Sequence, residues 1–312
     1  MARRLVLALG GNALGNSPQE QQTLVKDTAK TIVDLMESGY EVAIGHGNGP
    51  QVGMINLAMD LASMHDDNMP YMPFPECGAM SQGYIGYHLQ QAIRQEMKRR
   101  GIQKEVASII TQVVVREDDP AFQKPVKPIG RFYTKEEARR QAEEKGFAFV
   151  EDSGRGYRRV VASPAPQSIV ELSVVRQLVE QGNVVITVGG GGIPVIETEQ
   201  GYQGVAAVID KDKSSAKLAQ DLEAEMLVIL TAVEQVCIHY NKPEQTALSS
   251  MTAAQAEQYI AEGHFAPGSM LPKVEACLSF VRGNPQGKAL ITSLHKAKEA
   301  LQGHTGTVIT FS

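Results

Sequence analysis

The stretch "RRLVLALGGNALGNSP", residues 3–18, decides the fold class of this chain. Its first seven residues are mostly apolar and suited to a strand, and two glycines follow them. A helix is predicted over residues 19–36, because Leu24, Ile32 and Leu35 fall on one face at helical spacing. A strand, a glycine turn and a helix in this order form one unit of a parallel sheet.

The same pattern recurs along the chain and predicts an α/β fold. We expect a three-layer αβα sandwich with a largely parallel central sheet, because strand-like and helix-like segments alternate. The further expected strands cover residues 40–46, 105–115, 183–188, 206–209, 225–231, 287–293 and 306–311. The further expected helices begin at Gln51 and about residue 213, and cover about 80–100, 167–181, 252–262 and 270–282.

Residues 116–163 interrupt the alternation. This segment is rich in proline and charge and contains the helix-like "KEEARRQAEEKG" between short possible strands. We interpret it as a small inserted subdomain that could close as a lid. We expect one αβα domain over 1–312 that contains this insertion. Its N-terminal lobe would cover about 1–182 and its C-terminal lobe about 183–312.

Composition excludes several functional classes. The chain has 312 residues, 43% of them hydrophobic, and a formal net charge of -5, without the basic stripe of a nucleic-acid-binding protein. No apolar run approaches the roughly 18 residues of a membrane span, and residues 5–9 are too short for a signal sequence. Three widely spaced cysteines match no zinc motif, so we expect no metal-ligand residues and a cytoplasmic protein with reduced thiols.

Glycine-rich turns follow three of the expected strands. They are "GGN" at residues 10–12, "GNG" at 47–49 and "GGGG" at 189–192. Each alone could be an ordinary turn, but together they predict one cleft lined by backbone N–H donors at the carboxyl ends of the strands. Neither a P-loop nor a strand-linked GxGxxG motif is present, so the common nucleotide-binding classes are excluded.

Three lysines in polar loops are candidates to neutralise an anion in that cleft. Lys127 lies between two prolines, Lys211 in the charged run "VIDKDKSSAKLA" (208–219), and Lys273 just after Pro272 in a first helical turn. Any one of them could be a solvated surface residue. With the glycine turns they favour phosphoryl transfer, whose transition state spreads negative charge over several oxygens.

The motifs in this order resemble the amino-acid kinase family, and within it the carbamate kinases. The resemblance rests on "ALGGNAL", "HGNGPQVG", "KPIGRFYT", "RRVVASPAP", "GGGGIPV", "VIDKD" and "GSMLPKV", and it covers essentially the whole chain. It implies reversible transfer of phosphate between ATP and carbamate, giving ADP and carbamoyl phosphate, run mostly toward ATP. It further implies Mg²⁺, small-molecule substrates only, and a homodimer. The two lobes would bind carbamate and nucleotide respectively.

The resemblance also implies roles for individual residues, without a protein nucleophile or dedicated base. Asp212 would hold the lysines in position, whereas Asp210 and Lys213 could simply cap the next helix. The implied catalytic residues are Lys127, Lys211, Asp212, Lys273 and Asn12. The implied carbamate and phosphoryl contacts are Gly10, Gly11, Gly47, Asn48 and Gly49. The implied nucleotide contacts are Gly190, Gly191, Lys213, Ser214, Tyr240 and Met270.

Two positions depart from the family pattern. Leu271 stands where glycine is usual, beside Lys273, and the pair Lys213 and Ser214 stands where more apolar residues are common. Two alternatives therefore remain open. One is a kinase of the same fold with another carboxylate or phosphate acceptor, and the other is a regulatory protein that binds nucleotide without catalysis.

Overall fold

The computed structural model describes residues 3–10, 14–15, 17–152 and 154–312. The strands in these residues are β1 Arg3–Leu9, β2 Tyr40–His46, β3 Val106–Ser108, β4 Gln112–Val114, β5 Lys127–Tyr133, β6 Ala148–Glu151, β7 Tyr157–Val161, β8 Ser168–Ile169, β9 Val184–Ile186, β10 Ile193–Thr198, β11 Gly201–Gly204, β12 Met226–Thr231, β13 Val236–Ile238, β14 Thr246–Leu248, β15 Ser250–Thr252, β16 Lys288–Ser293 and β17 Thr307–Thr310. The α-helices are α1 Pro18–Glu37, α2 Gly49–His65, α3 Phe74–Arg99, α4 Lys135–Lys145, α5 Leu172–Glu180, α6 Lys211–Asp221, α7 Ala253–Ala261, α8 Met270–Gly283 and α9 Ala297–Leu301.

The central sheet has eight strands in the order β15-β17-β16-β12-β1-β2-β9-β3. The strands from β16 to β3 run parallel to one another, whereas β17 is antiparallel to β16 and carries β15 with it. The predicted α/β fold with a largely parallel sheet is therefore confirmed.

Strand β1 lies at the centre of this sheet and contributes to both faces. Leu5, Leu7 and Leu9 pack with α1 and α3 on one side, because alternate residues of a strand point to opposite faces. Val6 and Ala8 pack with α6 and α8 on the other side. The sheet is thus covered by helices on both faces, which completes the three layers.

The helix that follows β1 shows why the chain turns where it does. The side chain of Ser17 accepts a hydrogen bond from the Glu20 N–H and so caps α1, and Pro18 fits the first helical position, where no N–H donor is needed. Val25, Ile32 and other apolar residues of α1 are buried against the sheet. The helix expected over 19–36 is confirmed.

The segment expected to be a subdomain forms a small antiparallel sheet, β5-β7-β6, with α4 packed beside it. Thr134 and Glu137 form a capping box at the start of α4, and Gly146 ends that helix in a left-handed conformation. Ile129 and Val161 of this sheet pack with apolar residues of α2 and α3. This small sheet therefore rests on the helix that begins directly after β2.

Three details differ from the sequence-based expectations. Residues 206–209 are not a strand, because they form only a single bridge and otherwise run as a loop beside the glycine turn at 189–192. Residues 105–115 form two short strands in different sheets, β3 and β4. The strand expected over 183–188 is shorter, because β9 covers only Val184–Ile186, between β2 and β3.

A helix that spans a membrane must be both long and apolar. None of those in the described residues is long and apolar enough to cross a membrane.

Candidate functional site

The site is built at the carboxyl edge of the parallel strands, where β1, β2 and β9 end side by side. The backbone N–H of Gly47 donates to the Leu9 carbonyl oxygen at 3.0 Å, which joins the ends of β1 and β2. A Cβ at Gly10 would lie 3.1 Å from the Leu230 carbonyl oxygen, so the chain leaving β1 passes close to β12. Gly10, the first residue of the glycine turn, therefore lies close to the neighbouring strand β12.

The four glycines at 189–192 form a tight turn that could not carry side chains. Gly189–Gly191 is a short 3-10 helix, and Gly190 and Gly191 have φ angles of 67° and 93°. A Cβ at Gly190 would overlap the Asn48 carboxamide, and one at Gly191 would overlap the backbone of Ile209. Glycine is thus required here both by the backbone conformation and by the lack of space for a side chain.

Asn48 connects the second glycine turn to α3. It precedes α2 as the N-cap residue, yet its side chain makes no capping hydrogen bond. Its Nδ2 donates instead to Ser81 Oγ at 2.8 Å, and Ser81 is fully buried. Gly49 begins α2, so the 47–49 turn leaves a helix N-terminus at the edge of the sheet, where an anion is favoured.

The charged run that begins at Asp210 forms the start of α6. Asp210 caps this helix, with its Oδ1 accepting from the Asp212 N–H at 2.9 Å. Its Oδ2 accepts from Lys127 Nζ at 3.3 Å, across 83 residues of sequence. Burial acts to raise the pKa of Asp210, but the Lys127 ammonium and the Asp212 N–H outweigh it, so that pKa is lowered and the carboxylate is charged.

Asp212 is the most deeply buried acid of the run, at 2% exposed. Its Oδ1 accepts from Lys211 Nζ at 2.5 Å and its Oδ2 from Lys273 Nζ at 3.0 Å. Lys211 begins α6, and Lys273 lies in the first turn of α8. One carboxylate thus holds two ammonium groups from two helices that pack against each other.

The network of Lys127, Asp210, Lys211, Asp212 and Lys273 carries three positive and two negative charges. Its surplus positive charge lies at the N-terminus of α6, where the helix dipole adds further positive potential. Partly buried cations in such surroundings are stabilised by a bound anion. The arrangement therefore suits phosphate oxygens.

Not every residue assigned to the nucleotide joins this network. Ser214 is fully buried, and its hydroxyl donates to the Gly191 carbonyl oxygen at 2.6 Å, so it fastens α6 to the glycine turn. Lys213 pairs with Glu275 at 3.4 Å on the surface. Tyr240 is 57% exposed in the loop between β13 and β14, and Met270 begins α8.

Two of the expected residues, Gly11 and Asn12, lie outside the described residues. The ion pair between Lys127 and Asp210 was not predicted, because the sequence indicated for Asp210 no more than a helix cap. No local signal links these two residues, which are far apart in the chain. Leu271, the departure beside Lys273, packs against the apolar cluster beneath α8.

Carboxylate, imidazole and thiol groups are the usual protein ligands of metal ions. Within residues 3–10, 14–15, 17–152 and 154–312, no group of three or more His, Cys, Asp or Glu could hold a metal ion.

The model of the amino acid kinase family matches residues 3–293. This chain belongs to that family. Among its relatives, the carbamate kinase of Staphylococcus haemolyticus is 57% identical over 306 residues, covering 98% of this chain and 99% of the relative. A carbamate kinase of Staphylococcus epidermidis is 55% identical over 308 residues, with the same coverage.

Two solved structures agree with the fold described above. The carbamate kinase of Giardia lamblia bound to AMP-PNP has a TM-score of 0.94 and 40% identity, over 99% of this chain and 98% of that chain. A protein of Aeropyrum pernix also has a TM-score of 0.94, with 38% identity over 99% of this chain and 100% of that chain.

His46, at the end of β2, supports the glycine turn and is 1% exposed. A Cβ at Gly189 would overlap its imidazole ring. Its Nδ1–H donates to the Gly47 carbonyl oxygen at 2.8 Å, but burial dominates and lowers the pKa of His46 to about 4. The ring is therefore neutral in the folded protein near pH 7.

This depressed pKa predicts a stability that depends on pH. Between about pH 6.5 and about pH 4 the unfolded chain binds a proton at this histidine and the folded chain does not, so stability falls as the pH falls. The contribution lost by pH 4 is ~3 kcal/mol in the free energy of unfolding. Urea unfolding at a series of pH values measures it.

The control compares two His→Gln variants. His46→Gln should show a flatter decline of unfolding free energy between pH 6.5 and 4 than the parent protein. His304→Gln, at an exposed position, should follow the parent. Equal slopes for His46→Gln and the parent would contradict this account of the buried imidazole.

Proposed function

We propose that this chain is a carbamate kinase, which transfers a phosphoryl group reversibly between ATP and carbamate and runs mostly toward ATP. The observation that carries the proposal is the buried Asp212 carboxylate that holds Lys211 and Lys273, with Lys127 paired to Asp210 beside it. The relatives named above are carbamate kinases and are more than half identical over nearly the whole chain, which supports carbamate as the phosphate acceptor.

The reaction toward ATP breaks one P–O bond and forms another. The bond from phosphorus to the carbamate oxygen breaks, and a β-phosphate oxygen of ADP bonds to phosphorus. Lys211 and Lys273 stabilise the charge on the oxygens of the transferred group, and their positions are fixed in advance by Asp212. Carbamate leaves with its own negative charge, so no protein nucleophile or general base is needed.

We place the two substrates on opposite sides of the lysines. Lys127 and residues 47–49 would contact carbamate, and Gly10, Gly11 and Asn12 the transferred group. Gly190, Gly191 and the start of α6 would face the nucleotide phosphates, with Lys213, Ser214 and Met270 nearby. Adenine would lie near Tyr240 in the C-terminal lobe. The likeness to a carbamate kinase bound to AMP-PNP supports nucleotide binding by this chain.

Mg²⁺ is proposed as the companion of the nucleotide. Both oxygens of Asp212 are engaged by lysines, and both oxygens of Asp210 also accept hydrogen bonds. Asp210 and Asp212 are therefore not expected to coordinate the metal ion directly. Phosphate oxygens and water would supply its ligands, and the ion would neutralise phosphate charge when bound.

The inserted segment is proposed to act as a lid. Lys127 is the first residue of β5, so the small sheet itself delivers one of the three lysines of the network. A movement of this sheet would move the Lys127 ammonium relative to Lys211 and Lys273. Such closure would exclude water from the small substrate.

Replacement of Lys211 tests the function directly. Lys211→Ala should lower kcat for ATP formation from ADP and carbamoyl phosphate by about 10³-fold or more, because a preorganised charge at the transferred group is lost. Lys217→Ala is the matched control, since Lys217 lies on the same helix and pairs with Asp221 outside the network. It should keep kcat within about threefold of the parent, as expected for a partly exposed ion pair.

A nearly normal rate for folded Lys211→Ala would contradict the proposed role of this lysine. An inactive but ADP-binding parent would instead favour a kinase with another acceptor or a nucleotide-binding regulator. A screen of carboxylate and phosphate acceptors would separate those two alternatives.

We also propose that the chain forms a homodimer through α2 and α3. Met54, Ala58 and Leu61 are exposed at helical spacing on α2, and Met80 and Tyr87 are exposed on α3. These two helices pack against each other. Rows of exposed apolar side chains on adjacent helices favour burial against a second copy.

A charge placed in this surface should prevent association. Leu61→Glu should shift the mass measured by sedimentation equilibrium from dimer to monomer, because a carboxylate would be buried without a partner. Val174→Glu, at a similarly exposed site on α5, should leave the mass unchanged. If the Leu61→Glu protein remained dimeric, the interface would not be formed by α2 and α3, and the proposal would be wrong.

A cytoplasmic location is proposed on chemical grounds. All three cysteines, Cys77, Cys237 and Cys277, are free thiols in the structure. Reduced thiols are typical of proteins in the cytosol.

A further inference from the structure

Gln51 lies in the first turn of α2, directly after the 47–49 glycine turn, and is 3% exposed. Its Nε2 donates to the Gly15 carbonyl oxygen at 2.9 Å and to Gln21 Oε1 at 3.0 Å. Both protons of one carboxamide are therefore used. They join the start of α2 to the loop after β1 and to α1.

The contact continues through a second buried amide to α3. Gln21 is fully buried, and its Nε2 lies 3.1 Å from His88 Nδ1. Because Gln21 Oε1 accepts from Gln51, the Gln21 amide must donate to His88, whose Nδ1 is then unprotonated. Burial lowers the pKa of His88, which favours the neutral ring that this hydrogen bond requires. Three polar side chains on three helices thus form one directed chain.

The far end of this chain is the loop that carries the predicted phosphoryl contacts Gly10, Gly11 and Asn12. Gly15 in that loop has a φ of 65°, and a Cβ there would overlap the Glu20 side chain. The direction of its carbonyl group is therefore set by a glycine conformation and by the Gln51 amide together. Gly15 and the start of α2 are therefore held at a fixed separation.

Gln51 Oε1 is buried, and no residue that the structure describes gives it a hydrogen-bond partner. The two hydrogen bonds of Gln51 Nε2 join the helix start directly after the 47–49 turn to Gly15 and to α1. Gln51 therefore links two parts of the proposed site, and this place in the fold indicates a role in the reaction.

We propose that Gln51 is a positioning residue for phosphoryl transfer, a role that rests on the proposed function. Its carboxamide holds Gly15 against the start of α2 and so aligns the proposed phosphoryl contacts that precede Gly15 in the chain, while Lys211 and Lys273 neutralise the transferred group. Gln51 is not assigned a contact with substrate.

The test uses the full-length protein and the variant Gln51→Met, which keeps the length of the side chain and removes both hydrogen bonds. Amide hydrogen exchange of residues 10–18 should become at least about fivefold faster. The kcat for ATP formation from carbamoyl phosphate should fall about tenfold to a hundredfold, because misplaced donors lose alignment. ADP affinity by calorimetry should change less than twofold, since the nucleotide is placed on the other lobe.

Gln141→Met is the matched control, because Gln141 is a buried glutamine on α4 away from this loop. It should alter neither the exchange of residues 10–18 nor kcat. If Gln51→Met does not fold, Gln51→Asn takes its place, since its carboxamide is one methylene too short to span both acceptors.

The outcomes separate this proposal from the proposed function. If amide exchange of residues 10–18 is unchanged in Gln51→Met, Gln51 does not restrain this segment and the proposal is wrong. If exchange is faster but kcat is unchanged, Gln51 has no role in the reaction. Faster exchange with lower kcat and unchanged ADP affinity supports both. An inactive parent protein overturns the proposed function alone, because amide exchange shows whether Gln51 restrains residues 10–18 without any measurement of activity.

Discussion

The geometry of the site depends on the buried carboxylate of Asp212 between two ammonium groups. Lys211 and Lys273 come from the starts of two different helices, and without the carboxylate their like charges would repel. Removing one partner of a buried ion pair typically costs about 3–5 kcal/mol, because the remaining charge is left uncompensated. The same carboxylate therefore fixes two lysines toward the cleft and ties α6 to α8.

Several neighbouring features serve to keep that carboxylate in place. Ser214, two residues further along α6, fastens the helix to the Gly191 carbonyl group. Cys277 on α8 is fully buried; burial first, and then the charge of Asp212, raise its pKa, so it remains a neutral thiol. The network thus lies against apolar residues while its lysines reach solvent, and phosphate is a suitable counter-charge for such a surface.

Much of this could be predicted from the sequence, because the signals are local. The strand before Gly10 and the helix start at Asp210 each follow from a few adjacent residues, and β1 and α6 form as expected. The pairing of Lys127 with Asp210, and the hold of Gln51 on Gly15, join residues distant in sequence and have no local signature. The resemblance implies a nucleotide contact for Lys213, whereas its position on α6 places its side chain beside Glu275 on the surface.

The measurement that tests the central claim most directly is kcat for ATP formation from carbamoyl phosphate in Asp212→Asn, beside Asp221→Asn from the same helix. The asparagine keeps the size of the side chain and removes the charge that holds both lysines. The account predicts a fall of about 10²- to 10³-fold for Asp212→Asn in folded protein and little change for Asp221→Asn. A kcat for Asp212→Asn close to that of the parent would contradict it, because the lysines would then be positioned without the carboxylate.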